Sequence, residues 1–314
     1  MTFYSNGKFL ITGEYLVLHG ALSLAVPLGF GQSFEVRAVS RHSQISWKSF
    51  VLEKLWFNAE FSIPGFEIIS TNDQPKAKFL SDLLVEANSL NPGFLGNSGG
   101  LDVVSKANFD ISWGLGSSST LISNIAYWFA INPFDLHFSI SQGSGFDIAC
   151  ARSETPVLYQ LINNQPTVTP VGFYPPFKDQ IYFVYLGKKQ RSDKSILQLT
   201  DRLISREKEI SLISEITGKM VNASDLAGFN HLIDEHERIM ANVLNLPPVK
   251  EIYFANHQGS VKSLGAWGGD FVMMTWEHGK KSLLDYLKRK GFDTVFGFDE
   301  IILHPASYNA EHNY

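Results

Sequence analysis

The chain has 314 residues, of which 44% are apolar and 18% charged, so it can bury a large core in one domain or in two closely packed ones. A formal net charge of −5 and the absence of Lys/Arg-rich runs favour neither a nucleic-acid nor a membrane partner. Cys150 is the only cysteine, which excludes an intramolecular disulfide. The first residues lack a signal-peptide pattern, so a cytoplasmic location is expected.

The first third of the chain contains predicted strands and one long helix. Residues 8–11 and 15–18 are predicted as two strands around a turn, and residues 33–40 alternate as in a half-exposed strand. Residues 76–90 carry apolar side chains at helical spacing, and residues 101–112 alternate again. These patterns predict sheet with a helix packed on it.

The rest of the chain mixes the two kinds of element. An apolar helix is predicted over about residues 120–131, with strands at 157–162 and 181–186, and residues 195–246 are predicted to be mostly helical. A stretch rich in proline and aromatic residues, near residues 169–180, is the candidate boundary between two halves. Because strands and helices do not alternate regularly, the predicted class is α+β.

The segment Trp113-Gly-Leu-Gly-Ser-Ser-Ser-Thr120 is the strongest single motif. A strand leads into glycines, then hydroxyl residues, then a helix, which gathers free backbone N–H groups and a positive helix end at one point. A phosphate chain can bind there, and a serine can face the metal that accompanies it. The motif is not a Walker A loop, and a tight turn with a serine-capped helix is the alternative.

Two more glycine segments and two charged residues complete the set. Residues 262–270 form one segment before a strand, and residues 142–149 place Asp147 directly after a glycine turn, where a carboxylate can accept a proton. Lys8 precedes the first apolar strand. Taken singly, these would be an ordinary loop, a helix-cap residue and a solvated lysine.

Taken together, these segments resemble the GHMP kinases, the superfamily of galactokinase, homoserine kinase, mevalonate kinase and phosphomevalonate kinase. The family's three motifs match residues 7–20, 114–118 and 262–270 in the family's order, and the resemblance covers nearly the whole chain. Gly13-Glu14-Tyr15, residues 143–149 and Asp270 look like phosphomevalonate kinase. Leu18-His19-Gly20 looks more like mevalonate kinase.

The resemblance implies a two-lobed fold with ATP in the cleft between the lobes. The N-terminal half, residues 1–170, would be ribosomal-protein-S5-like and would bind ATP, and residues 171–314 would form a ferredoxin-like half. An ATP- and Mg²⁺-dependent kinase is implied, acting on phosphomevalonate, on mevalonate, or on a sugar or sugar phosphate. A GHMP-fold binding module without catalysis is the alternative of another class. A homodimer also stays open.

The same resemblance implies roles for individual residues. Asp147 would be the base for the acceptor, and Lys8 would lie beside it and offset negative charge. Ser118 would help to hold Mg²⁺, within the ATP-phosphate loop of Gly114, Leu115, Gly116, Ser117, Ser118 and Ser119. Acceptor contacts would come from Glu14, Tyr15, Gly265, Gly268, Gly269 and Arg191.

The sequence also departs from the family pattern. The segment between the second motif and Asp147 is short, and Asp135 is its only carboxylate, which leaves a second Mg²⁺ ligand open. Trp267 stands where relatives have glycine. Lys188 and Arg191 belong to a basic run that is either an acceptor contact or a solvated loop. His236 is expected to be a core or surface residue rather than a metal ligand.

Overall fold

The structure is a computed structural model that describes residues 1–40, 43–96, 99–187, 206–265, 267 and 269–303. Its strands are β1 Thr2–Leu10, β2 Ser23–Val39, β3 Gln44–Val51, β4 Lys54–Ser62, β5 Ile68–Thr71, β6 Gly100–Ala107, β7 Val157–Ile162, β8 Gln165–Pro170, β9 Ile181–Tyr185, β10 Val261–Leu264, β11 Phe271–Thr275 and β12 Val295–Gly297. Its helices are α1 Gln74–Leu90, α2 Ser117–Trp128, α3 Pro133–Ile140, α4 Phe146–Arg152, α5 Glu207–Val221, α6 Leu226–Leu244, α7 Val249–Tyr253, α8 Gly279–Lys288 and α9 Phe298–Ile301.

The chain divides into two compact units. The first contains residues 1–7, 30–111 and 115–152, and the second contains residues 8–29, 112–114 and 153–314. Both units therefore draw on the N-terminal and central parts of the chain. This division differs from a cut after residue 170, and the domain boundary inferred from the sequence stays a prediction.

The first unit is a sheet covered by helices. Its strands follow the order β5-β4-β3-β6-β2, with β3 and β6 parallel and the other neighbours antiparallel. Helices α1 and α2 pack their apolar sides into one core with this sheet, around Phe34, Trp47, Leu84 and Trp128. Asp73 caps α1 by accepting a hydrogen bond from Lys76 N, and Pro75 in the first turn suits a helix start.

The second unit contains an antiparallel sheet of order β10-β11-β9-β12. Helices α7 and α8 contribute apolar residues to a core on this sheet, around Val184, Phe254 and Leu283. In the same unit the first residues of β2 pair with β7, which pairs with β8. Helix α6 packs against β10, and this contact positions the buried charges described below.

The α+β class predicted from the sequence is confirmed, with differences in detail. The strand predicted at residues 15–18 is wrong: Leu16–His19 is a 3₁₀ turn, because the chain reverses at Gly13 (φ +88°) and closes local hydrogen bonds. Strand β6 ends at Ala107, earlier than predicted. No helix among the described residues is long and apolar enough to cross a membrane.

Truncation of two leucines of the same helix should give different losses of stability. Leu84 on α1 is fully buried, whereas Leu90 at its end is 40% exposed. Leu84→Ala is expected to cost about 2–5 kcal/mol of unfolding free energy, because it removes contacts and leaves a cavity. Leu90→Ala should stay within about 1 kcal/mol. Urea denaturation measures both, and equal losses would contradict this account of the core.

Candidate active site

Helix α2 begins without a side-chain cap. Its N-cap is Gly116 at φ +99°, a left-handed conformation that favours glycine, and glycine has no side chain to accept a hydrogen bond from the first turn. Ser119 is buried and donates to Gly116 O (2.9 Å), whereas Ser117 is half-buried and Ser118 is exposed. Backbone N–H groups at the positive end of a helix suit an anion, and the Ser118 hydroxyl lies beside them.

Buried contacts hold this helix end in place. Thr120 Oγ1 donates to Gln32 Oε1 (3.0 Å), and Asn124 Nδ2 donates to Gln32 O (3.0 Å) on β2. Leu115, in the loop before the helix, has no solvent exposure. These contacts hold the first half of α2 against β2.

Asp147 lies in the first turn of α4, after Gly145 at φ +82°. Its side chain is half-buried, and Ile148 N donates to its Oδ1 (3.0 Å). Helix α4 packs against α2, and Arg152 at its end fixes the pair. The Arg152 guanidinium donates to Ser123 Oγ (3.0 Å) and lies over the Tyr127 ring at 3.4 Å. The structure thus brings the proposed base and the Ser118 loop onto two neighbouring helices of one unit.

In the second unit, Lys8 and Asp270 meet at Gly114. Lys8 Nζ donates to Gly114 O (3.0 Å). Gly114 has φ +70°, and a Cβ built on it would lie 2.0 Å from Asp270 Oδ2. A side chain at this position would therefore meet the carboxylate. This contact joins residues of all three sequence motifs.

Glu14 and Tyr15, which the sequence predicts as acceptor contacts, are buried in the second unit. Glu14 is 2% exposed and accepts a hydrogen bond from Lys262 Nζ at Oε1 (2.5 Å). Tyr15 has φ 62°, which is rare for a bulky residue, and its hydroxyl accepts from Trp267 N (3.0 Å). Burial raises the pKa of Glu14, an effect that Lys262 opposes. Their acceptor role stays a prediction.

Lys262 has a second carboxylate partner, Glu237, that was not predicted from the sequence motifs. Its Nζ lies 3.5 Å from Glu237 Oε1, and Ser263 Oγ donates to Glu237 Oε2 (3.2 Å). His236, on the same helix, accepts a hydrogen bond from Gly13 N at Nε2 (3.2 Å). It is fully buried, so it is the core residue that was one of the two alternatives predicted from the sequence. A cavity of about 370 Å³ opens beside Glu237.

A sequence signal for this cluster does exist. Lys262 lies in a strand whose four positions are all buried, Val-Lys-Ser-Leu. Ile233, His236, Glu237 and Met240 share the buried stripe of α6 at helical spacing. Charged residues at core positions of both patterns predict partners for one another. The motif at residues 262–270 instead predicts a role for its glycines.

Of the remaining predicted acceptor contacts, Gly265 and Gly269 lie within the described residues. Gly265 has φ +71°, with open space where a Cβ would lie, and Gly269 is buried. Trp267 is buried, and its Nε1 donates to Pro247 O (3.1 Å), so its ring fills space within the second unit. Gly268 and Arg191, together with Lys188, lie outside the described residues.

The residues present fit a metal ion that arrives with a nucleotide. No group of three or more His, Cys, Asp or Glu side chains within the described ranges is placed to hold a metal alone. Mg²⁺ commonly keeps several waters and binds through phosphates with one or two protein ligands. The exposed Ser118 hydroxyl at the uncapped start of α2 suits that arrangement.

Two glycines with the same backbone conformation test the Gly114 contact. Gly114→Ala and Gly265→Ala both place alanine at φ near +70°, which costs about 1–2 kcal/mol. Only Gly114→Ala adds a clash with Asp270, so it should lose roughly 1–3 kcal/mol more unfolding free energy. Chemical denaturation of both variants measures the difference. Equal losses would show that the Asp270 contact does not constrain the loop.

Comparison with known proteins gives fold similarity at low sequence identity. No protein-family model matches the chain, and no curated protein matches it. Phosphomevalonate kinase of Streptococcus pneumoniae, solved with phosphomevalonate and AMPPNP, has a TM-score of 0.71 at 15% identity, covering 95% of this chain and 99% of that one.

Two further solved structures agree with this similarity. The Lin0012 protein of Listeria innocua has a TM-score of 0.69 at 17% identity, covering 94% of this chain and 96% of that one. The mevalonate kinase of Methanococcus jannaschii has a TM-score of 0.65 at 16% identity, covering 96% and 98%. The chain has the fold of the GHMP kinases.

Proposed function

We propose that the chain is an ATP-dependent kinase that transfers the γ-phosphoryl group to a small acceptor, with phosphomevalonate as the leading candidate. The observation that carries this proposal is the uncapped start of α2 with Ser118 exposed, on the helix that packs against the one bearing Asp147. The fold supports it, because the solved structures similar to this chain include kinases for phosphomevalonate, mevalonate and galactose.

The proposed reaction needs positioning and charge compensation rather than a covalent enzyme intermediate. An acceptor oxygen attacks the γ-phosphorus, the bond from that phosphorus to the β–γ bridging oxygen breaks, and ADP leaves with the electron pair. The backbone N–H groups that begin α2 bind the phosphates. A bound Mg²⁺, held in part by Ser118, would neutralise charge on the phosphates.

Two charged residues would act on the acceptor and on the transferred group. When the acceptor is a hydroxyl, its proton passes to Asp147, which is half-buried and lies in the first turn of α4. Lys8 offsets the negative charge that develops as the phosphoryl group moves. The Lys8 side chain is held in place by the hydrogen bond that its Nζ donates to Gly114 O. A phosphate acceptor makes the base less necessary, since its second proton is largely lost at neutral pH.

Turnover with a panel of acceptors tests the proposal. Purified protein with Mg·ATP should release ADP with phosphomevalonate, and mevalonate is the second candidate because Leu18-His19-Gly20 resembles mevalonate kinase. Galactose and heptose phosphate cover the sugar kinases of the same fold. A coupled ADP assay measures the rates. ATP binding without turnover on any acceptor of the panel would favour a binding module instead.

Asp147→Asn tests the assigned base. The variant keeps the size of the side chain but removes its charge, so kcat should fall about 10²–10⁴-fold with a hydroxyl acceptor. The loss should be smaller with a phosphate acceptor, and ATP affinity should be unchanged. Asp82→Asn, an exposed aspartate on α1, is the matched control. Steady-state kinetics and nucleotide titration measure both, and full activity of Asp147→Asn would contradict the mechanism.

A further inference from the structure

Four ionisable side chains are packed together in the interior of the second unit. Glu14, His236, Glu237 and Lys262 are each at most 3% exposed. Lys262 Nζ lies between the two carboxylates, at 2.5 Å from Glu14 Oε1 and 3.5 Å from Glu237 Oε1. Because a buried charge is costly unless it is compensated, the protonation state of this cluster is constrained.

Hydrogen-bond geometry fixes the state of the histidine. Gly13 N donates to His236 Nε2, so this nitrogen is an acceptor and the imidazole is neutral, with its proton on Nδ1. His236 Nδ1 lies 3.9 Å from Glu237 Oε1 and has no hydrogen-bond partner among the described residues. Burial and Lys262 both hold the pKa of His236 well below its usual value, in agreement with a neutral ring.

Glu14 then lacks a donor on one oxygen. Its Oε2 lies 3.3 Å from His236 Nε2 and has no hydrogen-bond partner in the part of the chain that the structure describes. Two lone pairs that face each other at this distance repel. A proton on Glu14 Oε2 would remove this repulsion, and the O–H would share the single lone pair of His236 Nε2 with Gly13 N.

The charge of the cluster leads to the same conclusion. With a neutral histidine, Lys262 contributes one positive charge, and Glu14 and Glu237 contribute two negative ones. The fully ionised cluster therefore carries a net negative charge in a buried environment. One additional proton on either carboxylate makes it neutral.

We propose that Glu14 and Glu237 share one proton around Lys262 and that His236 and Glu237 thereby position the Gly13–Tyr15 segment for acceptor binding. The part of this proposal that concerns the acceptor rests on the proposed kinase function. His236 and Glu237 act through Gly13 and Glu14, so they are positioning residues. The strained backbone of Tyr15, φ 62°, is held in the same segment.

The shared proton is lost within the physiological pH range. Burial, opposed by the charge of Lys262 and assisted by the charge of Glu14, raises the pKa of Glu237 to about 7. Glu237 is among the residues that line the cavity of about 370 Å³. The charged and titratable groups around Glu237 are Glu14, Lys262, Asp234, His236, Arg238, Lys250 and Glu251.

Loss of the proton should weaken acceptor binding. Above neutral pH the cluster becomes negative, and Glu14 Oε2 again repels His236 Nε2. This repulsion destabilises the Gly13–Tyr15 segment, and an anionic acceptor meets a negative charge behind it. KM for the acceptor should rise while kcat changes little, because the chemical groups themselves are untouched.

Glu237→Gln tests the role in acceptor binding. The wild-type acceptor KM should rise about fivefold between pH 6 and pH 8, the low end of coupling between sites. Glu237→Gln keeps the size of the side chain but needs no shared proton. The acceptor KM of this variant should therefore not rise between pH 6 and pH 8. Glu237→Asp should restore the step, and Glu251→Gln, at the same cavity, should behave like the wild type. Parallel KM profiles of wild type and Glu237→Gln would overturn the positioning role.

Thermal denaturation tests the proton without any activity. A carboxylic acid whose folded pKa is raised binds a proton in the folded state that the unfolded state has already lost. Wild-type stability should therefore fall from about pH 5 to pH 7 relative to Glu237→Gln, by several degrees of Tm. Glu251→Gln should follow the wild type. A Tm difference between wild type and Glu237→Gln that does not change with pH would overturn the shared proton.

A spectroscopic measurement needs no variant. Infrared spectra of the wild type should show the carbonyl band of a protonated carboxylic acid at about pH 6, and the band should weaken towards pH 8. Absence of this band at pH 6 would overturn the shared proton even if Glu237→Gln does not fold. If the band and the Tm shift are found but no acceptor is turned over, the shared proton stands and the kinase function fails.

Discussion

The pairing of the buried Lys262 ammonium group with carboxylates is the interaction on which the arrangement of the second unit depends. Its ammonium group has no exposure to solvent, so it must have compensating carboxylates, and these come from Glu14 in the first motif and from Glu237 on α6. A segment near the N-terminus, a helix and a strand are thereby tied to one charge. Removal of the Lys262 charge from such a cluster costs about 3–5 kcal/mol, because the carboxylates that remain are buried and uncompensated.

The same constraint explains why the first motif is rich in glycine at this point. Gly13 has φ +88°, and a Cβ on it would lie 2.1 Å from Ser23 Oγ. The close approach lets Gly13 N reach His236 while Glu14, the next residue, points to Lys262. Thr12 Oγ1 is held from the other side, since Thr217 Oγ1 on α5 donates to it (2.8 Å). The motif is therefore a packing element as well as a candidate binding segment.

The elements with strong periodicity were predicted from the sequence, and those set by tertiary contacts were not. Helix α1 matches its prediction because its apolar spacing and its ending at Asn91 are local signals. The turn at Leu16–His19 was missed because apolar residues favoured a strand there, whereas two positive-φ residues reverse the chain. Ser118 could be found from its motif, but its exposure depends on the left-handed Gly116.

The motif residues fall into two classes by burial, and only the less buried class can contact the reacting groups. Glu14, Lys262 and Leu115 are buried, so they can act only through packing and positioning. Ser118 is exposed at an uncapped helix start, and Asp147 is half-buried, although neither is needed to fill a core. A chain that kept the fold but lost catalysis would be free to replace these two residues. Their presence together in this sequence is the stronger argument for an enzyme, whereas the buried cluster indicates how such an enzyme could respond to pH.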